Sequence, residues 1–392
     1  MLFSAPTLRD DEREVVALIE NLRNELRDRV AEPRRWNGSL KRMAFARAVQ
    51  GSNSIEGYEA SLDDVVAAVE GEPTFDANQE TQLALIGYRD AMTYVLQISD
   101  DPDLQIDSGL IKSLHFMMMS HRLDKNPGRW RPGDVFVQDE SSGDIVYEGP
   151  DSSLVPSLIN EFTQNLGDSH ENVLVRGAMA HLNLVMIHPF SDGNGRMARC
   201  LQTLVLSREQ IVAPVFSSIE EFLGRNTRAY YDVLAEVGEG AWHPGRDARP
   251  WVRFCLRAHY LQARTTLRRR KEIESLWNAC WELAESRGLP ERTVAGIMEA
   301  AYGFRLTRSV YQRLVAESFG EELKDLTASR DLRLMVDAQV VDPVGERRGR
   351  YYLPAAELSK LRAAIRSSRP PRASEDPFEV VQDRNQLKLI EE

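Results

Sequence analysis

The sequence predicts a mainly α protein: a helical core that carries one β-hairpin, followed by a C-terminal helix-turn-helix segment with a two-stranded ribbon. Three observations lead there. Apolar residues recur at helical spacing near 39–50, 61–70, 77–98, 107–121 and 249–286. Short β-favouring runs pair up across polar, glycine-containing turns, Val135-Phe136-Val137 with Ile145-Val146-Tyr147, and Val340-Val341 with Tyr351-Tyr352-Leu353. Gly288-Leu289-Pro290 breaks the helical pattern and marks a linker.

Taken in order, residues 8–31 are charged and helical in pattern, with Pro33 after them. From Val173 to Ile187 the chain is apolar, follows the acids Asp168 and Glu171, and lacks proline. It reads as a buried helix stopped at His188-Pro189, because Pro189 has no N–H to give to the preceding turn. Gly193 and Gly195 then allow tight backbone geometry. Met197, Cys200, Leu201, Leu204 and Val205 restore helical spacing, so a second helix starts near Asn194. Beyond the linker, helices are expected at 291–301, 308–319 and near 326–337, then a ribbon whose tip is Gly345-Glu346-Arg347-Arg348-Gly349-Arg350. Ser367-Ser368-Arg369-Pro370-Pro371 opens a polar end, read as a flexible tail. The implied division is 1–105 (N-terminal helical region), 106–260 (core), 261–289 (connecting helix), 290–366 (helix-turn-helix with ribbon) and 367–392 (tail).

Composition excludes some classes. The 392 residues carry 60 acidic and 49 basic side chains, a formal charge of -11, which disfavours general attraction to nucleic acid or anionic membrane. The apolar run before His188 is interrupted by Arg176 and His181, and the N-terminus lacks a basic-then-apolar leader, so no membrane span is expected. Three scattered cysteines, Cys200, Cys255 and Cys280, fit core packing in a reducing compartment; a cytoplasmic location is expected.

The chemistry concentrates in His188-Pro189-Phe190-Ser191-Asp192-Gly193-Asn194-Gly195-Arg196-Met197-Ala198-Arg199. Asp192 is a hard oxygen ligand of the kind Mg²⁺ takes singly or in pairs beside phosphates and water. Arg196 and Arg199 are three apart, hence neighbours on one helix face, and offer forked donors to phosphate. N–H groups exposed at a helix start add an anion site. His188, with an ordinary pKa of about 6.5, can accept a proton from an attacking hydroxyl. The lysine and spacing of a Walker A loop are missing. His181 lies seven residues before His188, but two histidines at that spacing make no zinc site.

This run matches the HPFx[DE]GNGRxxR signature, and the chain resembles Fic-domain proteins over roughly residues 40 to 260. The resemblance implies a Fic-fold helical core with a β-hairpin flap over Val135, Phe136, Val137, Val146 and Tyr147, which docks target backbone by strand addition. It implies that His188 deprotonates a Ser, Thr or Tyr hydroxyl of a target protein and that Asp192 holds Mg²⁺. Gly193, Asn194, Gly195, Arg196, Met197, Ala198 and Arg199 would hold the phosphates of ATP, with Arg199 on the γ-phosphate. Asn226, Tyr230 and Tyr231 would surround adenine and ribose, with Tyr147 a further candidate. The product would be an AMP-modified (AMPylated) protein.

Ser52-Asn53-Ser54-Ile55-Glu56-Gly57 fits the family's [ST]xxxE[GN] inhibitory pattern, placed N-terminal to the core. A carboxylate at about 4 Å from Arg199 gains roughly 4 kcal/mol of Coulomb energy at an effective dielectric near 20, before desolvation. The expectation is autoinhibition by Glu56 against Arg199. Removal of AMP, transfer from another nucleotide, and a DNA-bound regulator with a nucleotide-sensing core are the alternatives. The C-terminal segment resembles winged-helix domains that often accompany Fic cores, and DNA, a protein partner or a second copy of the chain (a homodimer) could occupy it. Acids throughout that segment dilute its positive charge, so phosphate attraction there is modest.

Overall fold

Helix starts in this chain are set by short polar side chains that cap free N–H groups. Ser61 accepts from Asp64 N at 3.1 Å, Asn78 from Thr81 N at 2.8 Å, and Asp107 from Leu110 N at 2.8 Å. They open α3 (Leu62–Val69), α4 (Gln79–Ile98) and α5 (Ser108–Met119), after α1 (Asp10–Ala31) and α2 (Asn37–Ile55). The computed structural model describes residues 1–32, 34–74, 76–138, 145–168, 171–208, 213–346, 349–369 and 375–391.

The hairpin strands are β1 (Phe136–Gln138) and β2 (Ile145–Glu148), antiparallel with Val137 opposite Tyr147. Its turn, Ser141-Ser142-Gly143-Asp144, lies outside the described residues. There follow α6 (Val155–Asp168), α7 (Val173–Ile187), α8 (Asn194–Ser207), α9 (Glu220–Arg225), α10 (Thr227–Gly238) and α11 (Arg249–Ser286). Sequence periodicity did not point to α6. Pro156 sits in its first turn, where a missing N–H costs nothing, and its buried apolar residues are Val155, Leu158, Ile159 and Phe162.

The chain divides into two compact units. Unit 1 comprises Met1–Arg27, Ala44–Arg264 and Ser374–Glu392. Its centre is α7, buried along nearly its whole length and packed on α8, with α4, α5 and α6 around the pair. Trp251 is fully buried there and donates its indole N–H to Ala178 O at 2.7 Å.

The C-terminal end departs from the flexible tail expected for 367–392. Residues Pro377–Glu391 form α16, begun by a proline in its first turn and held to unit 1 by buried Val381. The Phe378 ring also stacks 3.7 Å from the Arg253 guanidinium carbon. Apolar periodicity over 377–391 is too weak to indicate a helix.

Unit 2 comprises Asp28–Met43 and Thr265–Ala373. It contains α12 (Thr293–Ala301), α13 (Arg308–Phe319), α14 (Asp325–Asp337), the antiparallel pair β3 (Val341–Val344) and β4 (Tyr351–Pro354), and α15 (Ala356–Ser367). A buried carboxylate, Asp331, ties the helices: Arg292 Nε donates to it at 2.7 Å and Tyr311 Oη at 2.9 Å. Leu306 extends the ribbon by exchanging backbone bonds with Tyr352. The ribbon-tip arginines 347 and 348 lie outside the described residues. Cys200, Cys255 and Cys280 are buried free thiols, and among the described residues no helix is long and apolar enough to cross a membrane.

Candidate active site

The bend between α7 and α8 carries the motif. His188 caps α7 in the left-handed region at φ 51, unusual for a residue with a side chain, and its N–H bonds Leu184 O at 3.0 Å. Its ring Nδ1 faces Val185 O at 3.1 Å, which assigns the proton to Nδ1 and leaves Nε2 free as the basic nitrogen. Burial lowers the His188 pKa below its ordinary value, and the Arg131 charge adds to that.

Asn194 closes the bend on itself: its side chain accepts from Phe190 N and donates to Phe190 O, both at 2.9 Å. Its amide therefore shapes the loop, and its contribution to an anion site is through its backbone. Gly193 takes φ 77, and a Cβ there would lie 3.1 Å from Met119 Sδ and 3.3 Å from His115 Nε2. Asp192 is half-buried and accepts from Gly193 N at 2.6 Å through Oδ1.

His115, which sequence reasoning did not single out, holds this loop from outside. Its Nε2 bonds Asp192 O at 2.9 Å, its Nδ1 accepts from Gly128 N at 2.9 Å, and its ring stacks on Phe190 at 3.6 Å. Those bonds need the neutral ring, and burial lowers its pKa to about 4.

Arg196 and Arg199 are both about 1% exposed. The Arg196 guanidinium lies 5.1 Å from the Tyr58 ring centre, while its Nε and Nη1 have no hydrogen-bond partner among the described residues. Arg199 donates from Nε to Ser52 Oγ at 2.7 Å, and from Nη2 to Ser52 O at 3.0 Å and Glu56 Oε1 at 2.6 Å; its Nη1 is likewise without a partner. Such orphaned buried donors are costly unless an acceptor arrives. Met197 and Ala198, on the same helix, are fully buried.

Glu56 stands just past the end of α2, where Gly57 turns the chain at φ 80. Burial alone would raise its carboxyl pKa, but the guanidiniums of Arg199 and Arg196 hold it below the ordinary value. Position 195 must be glycine for this approach, since a Cβ there would come within 2.6 Å of Glu56 Oε1 and 3.0 Å of Arg199 Nη1.

The same end of α2 is seated by a crossing without side chains. A Cβ on Gly51 would lie 2.5 Å from Glu220 O, and one on Gly224 would lie 2.6 Å from Gly51 Cα. Gly51→Ala is expected to lower stability by about 1–3 kcal/mol, the usual cost of overpacking. Thermal unfolding checks this, and an unchanged midpoint contradicts it.

Beneath Arg199 lies Glu220, buried, accepting from Thr203 Oγ1 at 3.2 Å, with its pKa raised by burial to about 7. His181 is a fully buried core residue: Nδ1 meets Gln202 Oε1 at 2.8 Å and Nε2 meets Tyr230 Oη at 2.9 Å. Burial pushes its pKa down to about 3. Histidines 115 and 181 thus bind fewer protons folded than unfolded below pH about 6.5. Stability should be full above that pH and fall toward pH 4, with each ring contributing up to ~1.4 kcal/mol per pH unit. Denaturant titrations at pH 7, 6 and 5 measure this; a flat profile contradicts it.

Among the residues expected around a base, Tyr230 is 1% exposed and joined to His181, so it packs in the core. Tyr231 is 47% exposed and its hydroxyl donates to Ile55 O at 3.3 Å. Asn226 joins α9 to α10 and donates to Phe222 O at 2.8 Å. In the hairpin, Phe136 and Val146 are exposed, and Val135 and Val137 half-buried. Tyr147 is the exception to the expected docking surface. It is buried, its hydroxyl donates to Met186 O at 2.7 Å, and Gly238 leaves room for its ring, so it anchors the hairpin to α7. Glu148 N adds a bond to Gly240 O at 2.9 Å.

Residues 105–206 match the Fic/DOC family. The chain is 28% identical over 263 residues to the protein adenylyltransferase Fic of Nematostella vectensis, covering 64% of this chain and 55% of that protein. To the protein of the same name in Drosophila grimshawi it is 29% identical, covering 62% and 47%. The chain thus spans about half the length of these curated relatives. A Fic family protein from Desulfovibrio desulfuricans G20 has the same fold, with TM-score 0.57 at 21% identity over 90% of this chain and 98% of that one. Fic-1 from C. elegans aligns with TM-score 0.51 at 23% identity, covering 66% and 72%. A mainly helical core, a motif bend between two buried helices and these likenesses agree: residues 105–206 carry a Fic domain.

Proposed function

We propose that the protein transfers AMP from ATP to a hydroxyl side chain of a protein, and that Glu56 restrains it. The observation that carries this is the 2.6 Å pair of Glu56 with Arg199, where buried Arg199 and Arg196 both keep donors that have no partner among the described residues. A cluster of buried cations that lacks matching anions suits a polyphosphate, and one carboxylate lying on it is a competitor for the same donors.

The target hydroxyl oxygen forms a bond to the α-phosphorus, the bond from that phosphorus to the bridging oxygen breaks, and pyrophosphate leaves. The hydroxyl proton goes to His188 Nε2, whose ring is oriented through Nδ1 by Val185 O. Arg196, Arg199 and the N–H groups opening α8 stabilise the phosphate charge. Among the described residues no cluster of three or more metal-binding side chains occurs. The lone carboxylate of Asp192 nevertheless suits Mg²⁺, which binds phosphates and water and needs few protein ligands. When bound, that ion neutralises phosphate charge. The exposed apolar residues of the hairpin, with Phe136 at 46% and Val146 at 41%, suit an extended target segment.

This reading includes the division of the chain given above, with 290–366 as a winged-helix-like module. The order α12–α13–α14–ribbon supports the module. On the exposed face of α14, Asp325 and Asp337 offset Arg330 and Arg333, which supports a protein contact over DNA.

Incubation of wild type and Glu56→Gly with labelled ATP, UTP and CTP in magnesium tests the reading. Covalent label from ATP is expected. Label from UTP or CTP instead would change the donor, and AMP release from a modified protein as the main reaction would favour the reverse activity.

A further inference from the structure

We propose that Arg131 is a positioning residue that couples the hairpin flap to His188. One planar guanidinium serves three carbonyls from three segments. Nε donates to His188 O at 2.9 Å, Nη1 to Gly133 O at 2.7 Å, and Nη2 to Pro150 O. Its backbone N–H donates to Pro189 O at 2.9 Å. Gly133 leads into β1 and Pro150 follows β2, so both feet of the flap and the backbone under the base meet at one side chain.

The bond to His188 O has a particular consequence. His188 holds φ 51, a conformation that costs a residue with a Cβ about 1–2 kcal/mol and persists only where its surroundings fix it. The paired bonds to His188 O and Pro189 O supply that fixation. Gly149 lets the parts close up, since a Cβ there would lie 3.0 Å from Val135 Cγ1, 3.3 Å from Arg131 Nη2 and 3.7 Å from His188 Cβ. The Arg131 side chain is 2% exposed, and the nearest acid, Asp134 at 3.9 Å, is 58% exposed and screened by water. The positive charge is therefore only partly neutralised and acts on the imidazole, whose protonation it disfavours after burial itself. Arg131 thus sets the backbone, the charge environment and the flap position for the base.

The inference rests on the AMP-transfer reading, in which His188 takes the target proton. Arg131→Lys and Arg131→Met are made on the Glu56→Gly background, and label transfer and ATP binding by calorimetry are measured for each. A misplaced base costs about 100-fold in kcat. That loss is expected in both variants, with the Kd for ATP held within about twofold. Removing the charge in Arg131→Met should also move the acid limb of the pH profile upward, while Arg131→Lys leaves that limb in place. Gly149→Ala presses on the clamp without deleting it and should act in the same direction, more weakly; it stands in if Arg131→Met does not fold. An unchanged kcat, or a loss of ATP affinity in step with rate, overturns the proposal. Should Glu56→Gly transfer nothing, the AMP-transfer reading fails on its own, and two activity-free measurements decide the coupling. In Arg131→Met, hydrogen exchange at flap amides 136, 137, 146 and 147 must rise and the His188 imidazole titration must move upward with it. A change in only one of the two overturns the coupling.

Discussion

His188→Ala is expected to lower label transfer by about 100- to 10,000-fold on the Glu56→Gly background, the range for removing a positioned general base. Its ring is fixed at Nδ1 by Val185 O, so no other tautomer offers Nε2 to a substrate proton. ATP affinity should be nearly unchanged, because the phosphate donors sit on α8. With the His188 pKa below its ordinary 6.5, the imidazole is neutral across the neutral range. The rate should therefore hold steady down to about pH 6.5 and fall below that. Retained transfer in His188→Ala means another group takes the proton.

Glu56→Gly is expected to raise self-labelling about 10-fold or more over wild type at equal ATP and magnesium. The pair it removes spans 2.6 Å, with Arg199 wholly buried and Glu56 21% exposed. Each ~1.4 kcal/mol of such a contact shifts occupancy tenfold, so even a fraction of its Coulomb energy suffices. The carboxyl pKa lies below its ordinary 4.5, so the pair is intact above that value and is lost only as pH falls through the lowered one. Mild acid is therefore not expected to activate wild type. Equal label in the two proteins removes Glu56 as the restraint.

The motif was legible because its parts are neighbours in sequence: base, carboxylate, glycines and arginines fall within 188–199, at one helix end and the next helix start. Strong apolar spacing likewise showed α7 and α8. His115 and Arg131 were not legible as partners of that bend, since their bonds reach across 77 and 57 residues and nothing local distinguishes them from ordinary polar side chains. The Glu56 contact spans 143 residues and was approached only through a family pattern. Tyr147 looked like a docking aromatic because alternation along a strand does not say which face the core takes. The helix α16 was hidden by a polar sequence whose few apolar residues find their partners on helices far away in the chain.

The crossing at Gly51 and Gly224 bears on the restraint proposed for Glu56. Main chain meets main chain there, so the last turns of α2 are seated closely against α9, and with them Ser52, whose hydroxyl and carbonyl both accept from Arg199. On the proposed reading of Glu56 as the restraint, a binder that shifts that segment from α9 would carry Ser52 and Glu56 away from Arg199 together.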